Sequence, residues 1–382
     1  MRLLAVSHAA ILDVNRPLFA ELARRGHHVL LVTPDRWKND YGDEPLRVQP
    51  LATDENRRLT LSSGAVLKAG STAFQCYLPL AWPFLMRWRP DIMLVIEEPW
   101  SIATLQWTLC ARLLGVHVIV RTEENRLRSF PPPFSWINKF TLAKAAHVFG
   151  TSMDAVAALA AQGIGAKASV FPHAVDTGLF SPSPNPRHLA SVGSTLTIGY
   201  IGRIVPAKGV ETLLQAAALL AGTATTRPLE VHIIGTGDDV YLASLRRLEE
   251  ALHIPAGVVR WRGAVAHEQV PDALRALDVL VVPTVAYKGY KEQFGRVVVE
   301  ALACRVPVVV SDNGELPVLA RTTSGGLVFP EGDAPALAAC LRQLIDSEDL
   351  RRALGEGGYA AAQARYTYDA LATTFERTAA SL

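Results

Sequence analysis

Short apolar runs alternate with helix-period segments along this chain, and the alternation stops once and then restarts. Leu3–Ser7, Val29–Thr33, Ile92–Ile96, His117–Arg121, His147–Gly150 and Ser169–Phe171 read as strands. Arg16–Arg25, Ile102–Leu114, Phe134–Ala145 and Met153–Gln162 carry helical periodicity. Alternating units of this kind imply a mainly parallel, doubly wound sheet. Ser181–Ser194, SPSPNPRHLASVGS, is too rich in Pro and Ser to continue either element and reads as a linker. Beyond it, Leu196–Ile201, Glu230–Ile234, Val258–Trp261, Val279–Val282 and Val306–Val310 are strand candidates. Gly209–Leu220, Val240–Leu252, Val270–Leu277, Gly295–Ala303 and Asp333–Ile345 are the helix candidates between and after them.

The fold class is therefore α/β, with two Rossmann-like doubly wound domains. The expected boundaries are 1–180, a linker over 181–194, and 195–365. The tail Tyr366–Leu382 looks helical with no strand after it and is expected to pack back on the first domain. Ligands of such sheets bind outside the carboxyl ends of the strands, so two domains facing each other would make an interdomain cleft.

At 382 residues there is core enough for two domains. A net charge of +2 does not suggest a nucleic-acid partner. The four cysteines are far apart with no CxxC spacing, which argues against a zinc site or disulfide framework and fits a reducing compartment. MRLLAVSHAA reads as a first buried strand rather than a signal segment. No stretch approaches 18 uninterrupted apolar residues, so no membrane-spanning helix is expected. A cytoplasmic location is expected.

The chemistry concentrates in KEQFGRVVVEALACRVPVVVSDNGELP, Lys291–Pro317. Glu292 lies eight positions before Glu300, with Phe294-Gly295-Arg296 between them. A helix beginning near Gly295 presents unpaired N–H groups and partial positive charge, a cradle for phosphate flanked by two carboxylates. A sugar nucleotide carries hydroxyls, a diphosphate and ribose hydroxyls in the same order. In IGYIGRIVPAKGVETLL, Gly202 allows close backbone approach, and Arg203 and Lys208 set two cations at a strand-to-helix turn, suited to a diphosphate. Gly235 and Gly237 in VHIIGTGDD read as a tight turn, and Asp238-Asp239 as charges at a helix start rather than metal ligands. Gly263–Val265 could meet a flat base through its backbone; packing of Trp261 with a turn at Gly263 explains the segment equally well. In the first domain, His8, Asp13 and Asn15 follow one strand, Glu97 and Glu98 another, and Arg121, Glu123, Glu124 and Asn125 a third. This cluster suggests an acceptor site that receives hydrogen bonds from hydroxyls.

Together these features resemble the retaining glycosyltransferases of family 4, of GT-B architecture, over nearly the whole chain. EQFGRVVVEALACRVPVVVSDNGELP resembles the family's signature of two glutamates with seven residues between them. GRIVPAKGVETLL is similar to its diphosphate loop, and FPHAVDTGLF to the stretch before its linker. The resemblance implies that Arg203 and Lys208 hold the diphosphate, Glu292 touches the donor sugar and Glu300 the ribose. Phe294, Gly295, Arg296 and Val297 would offer backbone amides, and Val265 would lie near the base. It implies a UDP- or GDP-sugar as substrate, no bound metal and no cofactor, and retention of anomeric configuration. The first loop lacks the family's glycine pair, Arg305 stands at a usual glycine, His173-Ala174 replaces Asn-Gly, and RTEEN lacks a histidine common near Thr122–Glu123.

The reaction expected is transfer of a hexosyl group to a hydroxyl of a glycan, lipid-linked or small-molecule acceptor, as in polysaccharide biosynthesis. A sugar-nucleotide 2-epimerase of the same architecture and a non-catalytic sugar-nucleotide-binding protein are the competing readings. A dehydrogenase is disfavoured, because no GxGxxG follows the first strand. Phe74–Pro90 and Phe130–Trp136 mix aromatic and apolar residues; a peripheral contact at the inner face of the plasma membrane competes there with a buried helix-loop.

Overall fold

The computed structural model describes residues 1–38, 44–51, 58–78, 88–183, 195–222 and 227–382. The chain divides into two compact units, Met1–Pro172 with Tyr368–Leu382, and His173–Thr367. Most of the predicted linker, 184–194, and the middle of the Phe74–Pro90 segment lie outside the described residues.

In the first unit the strands are β1 (Arg2–Ser7), β2 (His28–Pro34), β3 (Arg36–Trp37), β4 (Leu46–Arg47), β5 (Leu59–Gly64), β6 (Val66–Leu67), β7 (Cys76–Tyr77), β8 (Ile92–Ile96), β9 (His117–Thr122), β10 (His147–Gly150) and β11 (Ala168–Val170). Seven form one sheet in the order β11-β10-β9-β8-β1-β2-β5, with every pairing parallel. β3–β4 and β6–β7 are small antiparallel pairs. Strands covered on both faces read as unbroken apolar runs, as Leu3–Val6 and Met93–Val95 do, all fully buried. The sequence reading missed β5, whose LTLSSG carries little apolar signal. The order reverses direction between β1 and β8, a topological switch point, and in open sheets of this kind ligands bind at the carboxyl ends of the strands there.

Helix Tyr368–Ala380 belongs to this unit. Arg25 ties it down, donating to Asp369 and Glu376 at 2.6 Å each, while His27 meets Glu376 at 2.7 Å.

The second unit holds β12 (Leu196–Ile201), β13 (Leu229–Ile234), β14 (Val259–Gly263), β15 (Val279–Val282), β16 (Val308–Ser311) and β17 (Gly326–Phe329). Their order is β14-β13-β12-β15-β16-β17, again all parallel, with the switch point between β12 and β15. β17 and the helices Leu316–Thr323 and Glu348–Arg365 were not anticipated. The last contains Gly355, Gly357 and Gly358, each weakening an isolated helix by ~1 kcal/mol. Packing overrides that preference. A Cβ at Gly355 would lie 2.6 Å from the Arg305 carbonyl, and one at Gly358 2.5 Å from a Leu302 methyl. Arg305 itself adopts φ +61°, which explains why glycine suits that position. Its guanidinium lies over the Tyr359 ring at 4.5 Å and 3.4 Å from Glu356.

Candidate active site

The carboxyl ends of β12 and β15 bring together residues distant in sequence. After β12 the chain runs through Gly202 and Arg203 to a short 3-10 turn, Pro206–Lys208, and Gly209 opens helix Val210–Ala221. Gly209 has φ +66°, and a Cβ there would sit 1.9 Å from the Pro283 carbonyl. Val285 N–H donates to the Ala207 carbonyl at 2.9 Å. This close approach docks the Lys208 loop onto the segment that follows β15.

Lys208 Nζ pairs there with the Glu292 carboxylate and lies 3.2 Å from the Tyr290 hydroxyl. The ammonium also stands over the Tyr290 ring, 5.2 Å from its centroid. The pair is largely shielded, with 18% and 10% of the two side chains exposed. Burial opposes the Lys208 charge, but Glu292 and Tyr290 outweigh it and hold its pKa above the ordinary value. Thr284 donates to the same carboxylate at 3.2 Å and Tyr290 at 3.3 Å. The Glu292 backbone is clamped as well: its N–H donates to Asn313 Oδ1 at 2.8 Å, and its carbonyl accepts from Glu315 N–H at 3.2 Å. Asn313 is oriented by donating to Glu331 at 2.6 Å.

Gly295, at φ +83°, starts helix Arg296–Ala303 with no side-chain cap, so its first N–H groups face outward from the turn. Arg203 and Arg296 are both exposed near this crevice. The Phe294 side chain is core, 3% exposed, packed between His173 at 5.3 Å and Tyr366 at 6.0 Å. Only its backbone is available to a ligand. Glu300 lies one helical turn inside; burial raises its pKa against the nearby charges of Arg296 and His267. Val265 is half-buried just beyond β14, while Trp261 packs on the core and donates to Glu249 at 2.7 Å. Gly235 and Gly237 do more than turn the chain. A Cβ at either would meet the Gly202 or Ile204 carbonyl at about 2 Å, so they admit the Arg203 loop. Asp238 caps helix Asp239–Ala251, accepting from Val240 and Tyr241 N–H at 3.0 and 3.2 Å.

At the first unit's switch point, Glu97 organises a buried cluster. Its carboxylate accepts from the His8 N–H at 2.7 Å, meets His8 Nδ1 at 2.6 Å and accepts from Gln75 at 2.6 Å. The His8 ring stacks on Trp37 at 4.6 Å. Burial resists charging of His8, yet Glu97 prevails and its pKa is raised. Nδ1 faces the carboxylate, which leaves Nε2 on the other edge of the ring. Glu98 accepts from Thr122 at 2.5 Å and from Glu123 N–H at 2.9 Å; burial pushes its carboxyl up to about 7. Glu123 lies 3.6 Å from Arg121, and Glu124 lies 3.2 Å from Arg128 and 3.8 Å from Arg126. Asn15 turns inward, donating to the Ala9 carbonyl at 2.8 Å. The loop with no glycine pair is shaped instead by Arg16, 4% exposed, which donates to the carbonyls of Ala10, Ile11 and Pro50.

Sequence reasoning missed Tyr290, Thr284, Asn313, Gln75, Trp37 and Arg16. The first five support a neighbouring Glu292, Glu97 or His8, and Arg16 holds loop carbonyls; nothing in local spacing marks any of them. Among the described residues no cluster of His, Cys, Asp or Glu is arranged to hold a metal ion.

Comparison with known proteins fits this geometry. D-inositol 3-phosphate glycosyltransferase of Corynebacterium jeikeium is 33% identical over 49% of this chain and 45% of its own length. The Streptomyces coelicolor enzyme of that name is 36% identical over 46% and 38%. The chain thus aligns with less than half the length of these relatives. The crystal structure of Anabaena HepE with UDP superposes over 100% of both chains with a TM-score of 0.72 at 17% identity. Sucrose-phosphate synthase from Thermosynechococcus elongatus gives 0.73 at 20% identity, covering 100% of this chain and 98% of its own. At these identities the likeness is one of fold, and that fold is GT-B. The model of the glycosyl transferase 4-like domain matches residues 13–174 and that of glycosyl transferases group 1 matches 184–361, and the chain belongs to the group 1, family 4-like glycosyltransferases.

Proposed function

We propose that the protein transfers a hexosyl group from a nucleotide diphosphate sugar to an acceptor hydroxyl, with retention of configuration and without a metal ion. The observation that carries this reading is the Lys208–Glu292 pair at the β12/β15 switch point, beside the uncapped helix at Gly295 and the exposed Arg203 and Arg296. The leaving group is a diphosphate, so the main task is stabilising negative charge as the glycosidic bond breaks. Arg203, Arg296 and the N–H groups of the helix start are positive poles for that charge. Such poles supply what a divalent cation would otherwise provide. Glu292 is placed to accept hydrogen bonds from sugar hydroxyls and Glu300 from ribose. Acceptor hydroxyls would find partners at His8, Glu123 and Glu124. The UDP complex of the Anabaena structure favours uridine as the base.

A lipid-linked acceptor is favoured by Phe74, Leu127 and Trp136, which are 51%, 65% and 67% exposed. Among the described residues no helix is long and apolar enough to cross a membrane.

The test is a thermal-shift panel of nucleoside diphosphates and their sugars, with and without EDTA, followed by NMR of the product anomer. Stabilisation by one nucleotide family that EDTA leaves intact, with a retained anomer, is expected. A folded protein that no nucleotide stabilises would refute the reading, and an inverted anomer would refute retention.

A further inference from the structure

We propose that Lys208, Glu292 and Tyr290 form a latch that makes the donor pocket prefer an intact nucleotide sugar over the free nucleoside diphosphate. The inference rests on the donor reading above and goes beyond it, to how the site separates substrate from product.

The argument starts from which cations are engaged. Arg203 and Arg296 are exposed, and no ion pair to either is formed among the described residues. Lys208, in contrast, is shielded and committed to Glu292. Its position is set by the docking of Gly209 on Pro283, and that of Glu292 by Asn313, Glu315 and Gly314. Neither backbone can follow a ligand far. The ammonium is shared between Glu292 and Tyr290, so a diphosphate that draws Lys208 toward itself does so at the expense of its hold on the carboxylate.

What happens next depends on the sugar. With a sugar attached, its hydroxyls can donate to Glu292 and replace the lost partner. With a free nucleoside diphosphate, a carboxylate only 10% exposed has the Lys208 charge drawn away from it, and no sugar hydroxyl takes that place. The penalty falls on the product alone and so favours its release. It requires no recognition of the base.

Tyr290 sets the register of the pair. Its hydroxyl accepts from Lys208 at 3.2 Å and donates to Glu292 at 3.3 Å, while its ring lies under the ammonium. Tyr290→Phe keeps the ring and removes only the hydroxyl bridge, so it weakens the latch without opening it.

The experiment is calorimetric titration of the full chain with UDP, UDP-glucose, GDP and GDP-mannose, for wild type, Glu292→Gln and Tyr290→Phe. Circular dichroism and melting temperature confirm folding of each. Expected is at least ~10-fold tighter binding of the free diphosphate by Glu292→Gln, with the preference for the sugar nucleotide abolished. Tyr290→Phe should fall between that variant and wild type. If Glu292→Gln binds the diphosphate within twofold of wild type, or weakens both ligands alike, the latch is refuted while the donor reading stands. If folded wild type binds none of the four, the donor reading itself fails and takes the latch with it.

Discussion

Gly314 is the most exposing single position in the second unit. It has φ +59°, and a Cβ there would lie 2.1 Å from the Glu292 carbonyl oxygen and 2.8 Å from its nitrogen. Gly314→Ala therefore adds two costs. A left-handed backbone costs a side-chain-bearing residue ~1–2 kcal/mol. Forcing a methyl into packed backbone adds ~1–3 kcal/mol. About 3 kcal/mol in total would lower the melting temperature of a unit this size by ~6–12 °C. The atoms that must yield are those of Glu292, so donor turnover should also fall; a displacement near 1 Å can cost ~10²-fold. Gly257→Ala is the control, at φ +89° but with nothing within 4 Å of the added methyl. It should lose only the backbone term, ~1–2 kcal/mol, with normal turnover. The assays are differential scanning fluorimetry and release of nucleoside diphosphate from the donor. Equal melting losses in the two variants, or unimpaired turnover in Gly314→Ala, would show that the contact with Glu292 does not position it.

Arg203→Ala and Arg296→Ala should each lower turnover by ~10²–10³ with the fold intact, if they stabilise the leaving diphosphate; a folded variant with full activity would remove that residue from the mechanism. Glu98 offers a pH test. Its carboxyl is raised from an ordinary 4.5 to about 7 in the fold. The unfolded chain therefore releases this proton first, and the fold weakens as pH climbs between those values, by up to ~3 kcal/mol above the upper one. Glu98→Gln should flatten that decline in chemical-denaturation curves from pH 4.5 to 8, and an unchanged slope would contradict the burial argument. Cys304 is buried, and its thiol is pushed up to about 12. Ellman's reagent at pH 8 should leave it unmodified in the native protein and label it after denaturation; native labelling of Cys304 as fast as that of the half-buried Cys76 would overturn this.

The helix Arg296–Ala303, the strand at Val308 and the two carboxylates Glu292 and Glu300 were legible because their signals are local. Apolar periodicity, a glycine before a helix and a run of valines are all read within a dozen residues. The same holds for Ile102–Leu114, where Ser101 caps the start and Gly115 ends the helix. What was illegible was non-local or locally contradictory. Strand β5 has a weak pattern and pairs by virtue of β2 beside it. Helix Glu348–Arg365 carries glycines that argue against a helix until Leu302 and Arg305 are seen against them. The Phe294 side chain is an anchor for the core, packed by His173 and Tyr366, which lie far from it in the sequence.

By itself the chain determined its two α/β halves, the order of its elements, and the residue types fit for a diphosphate and hydroxyls. Tertiary structure alone decided which of those groups meet. Lys208 stands close to Arg203 in the sequence, and only the fold shows that it pairs with Glu292 across the switch point. His8 was one polar residue among several, yet Glu97 and Trp37 hold it from two sides. Helical and strand periods are encoded in neighbouring residues, whereas these partnerships depend on close backbone approaches such as Gly209 on Pro283 and Gly314 on Glu292. Contacts of that kind exist only once the parallel sheets have brought distant loops together.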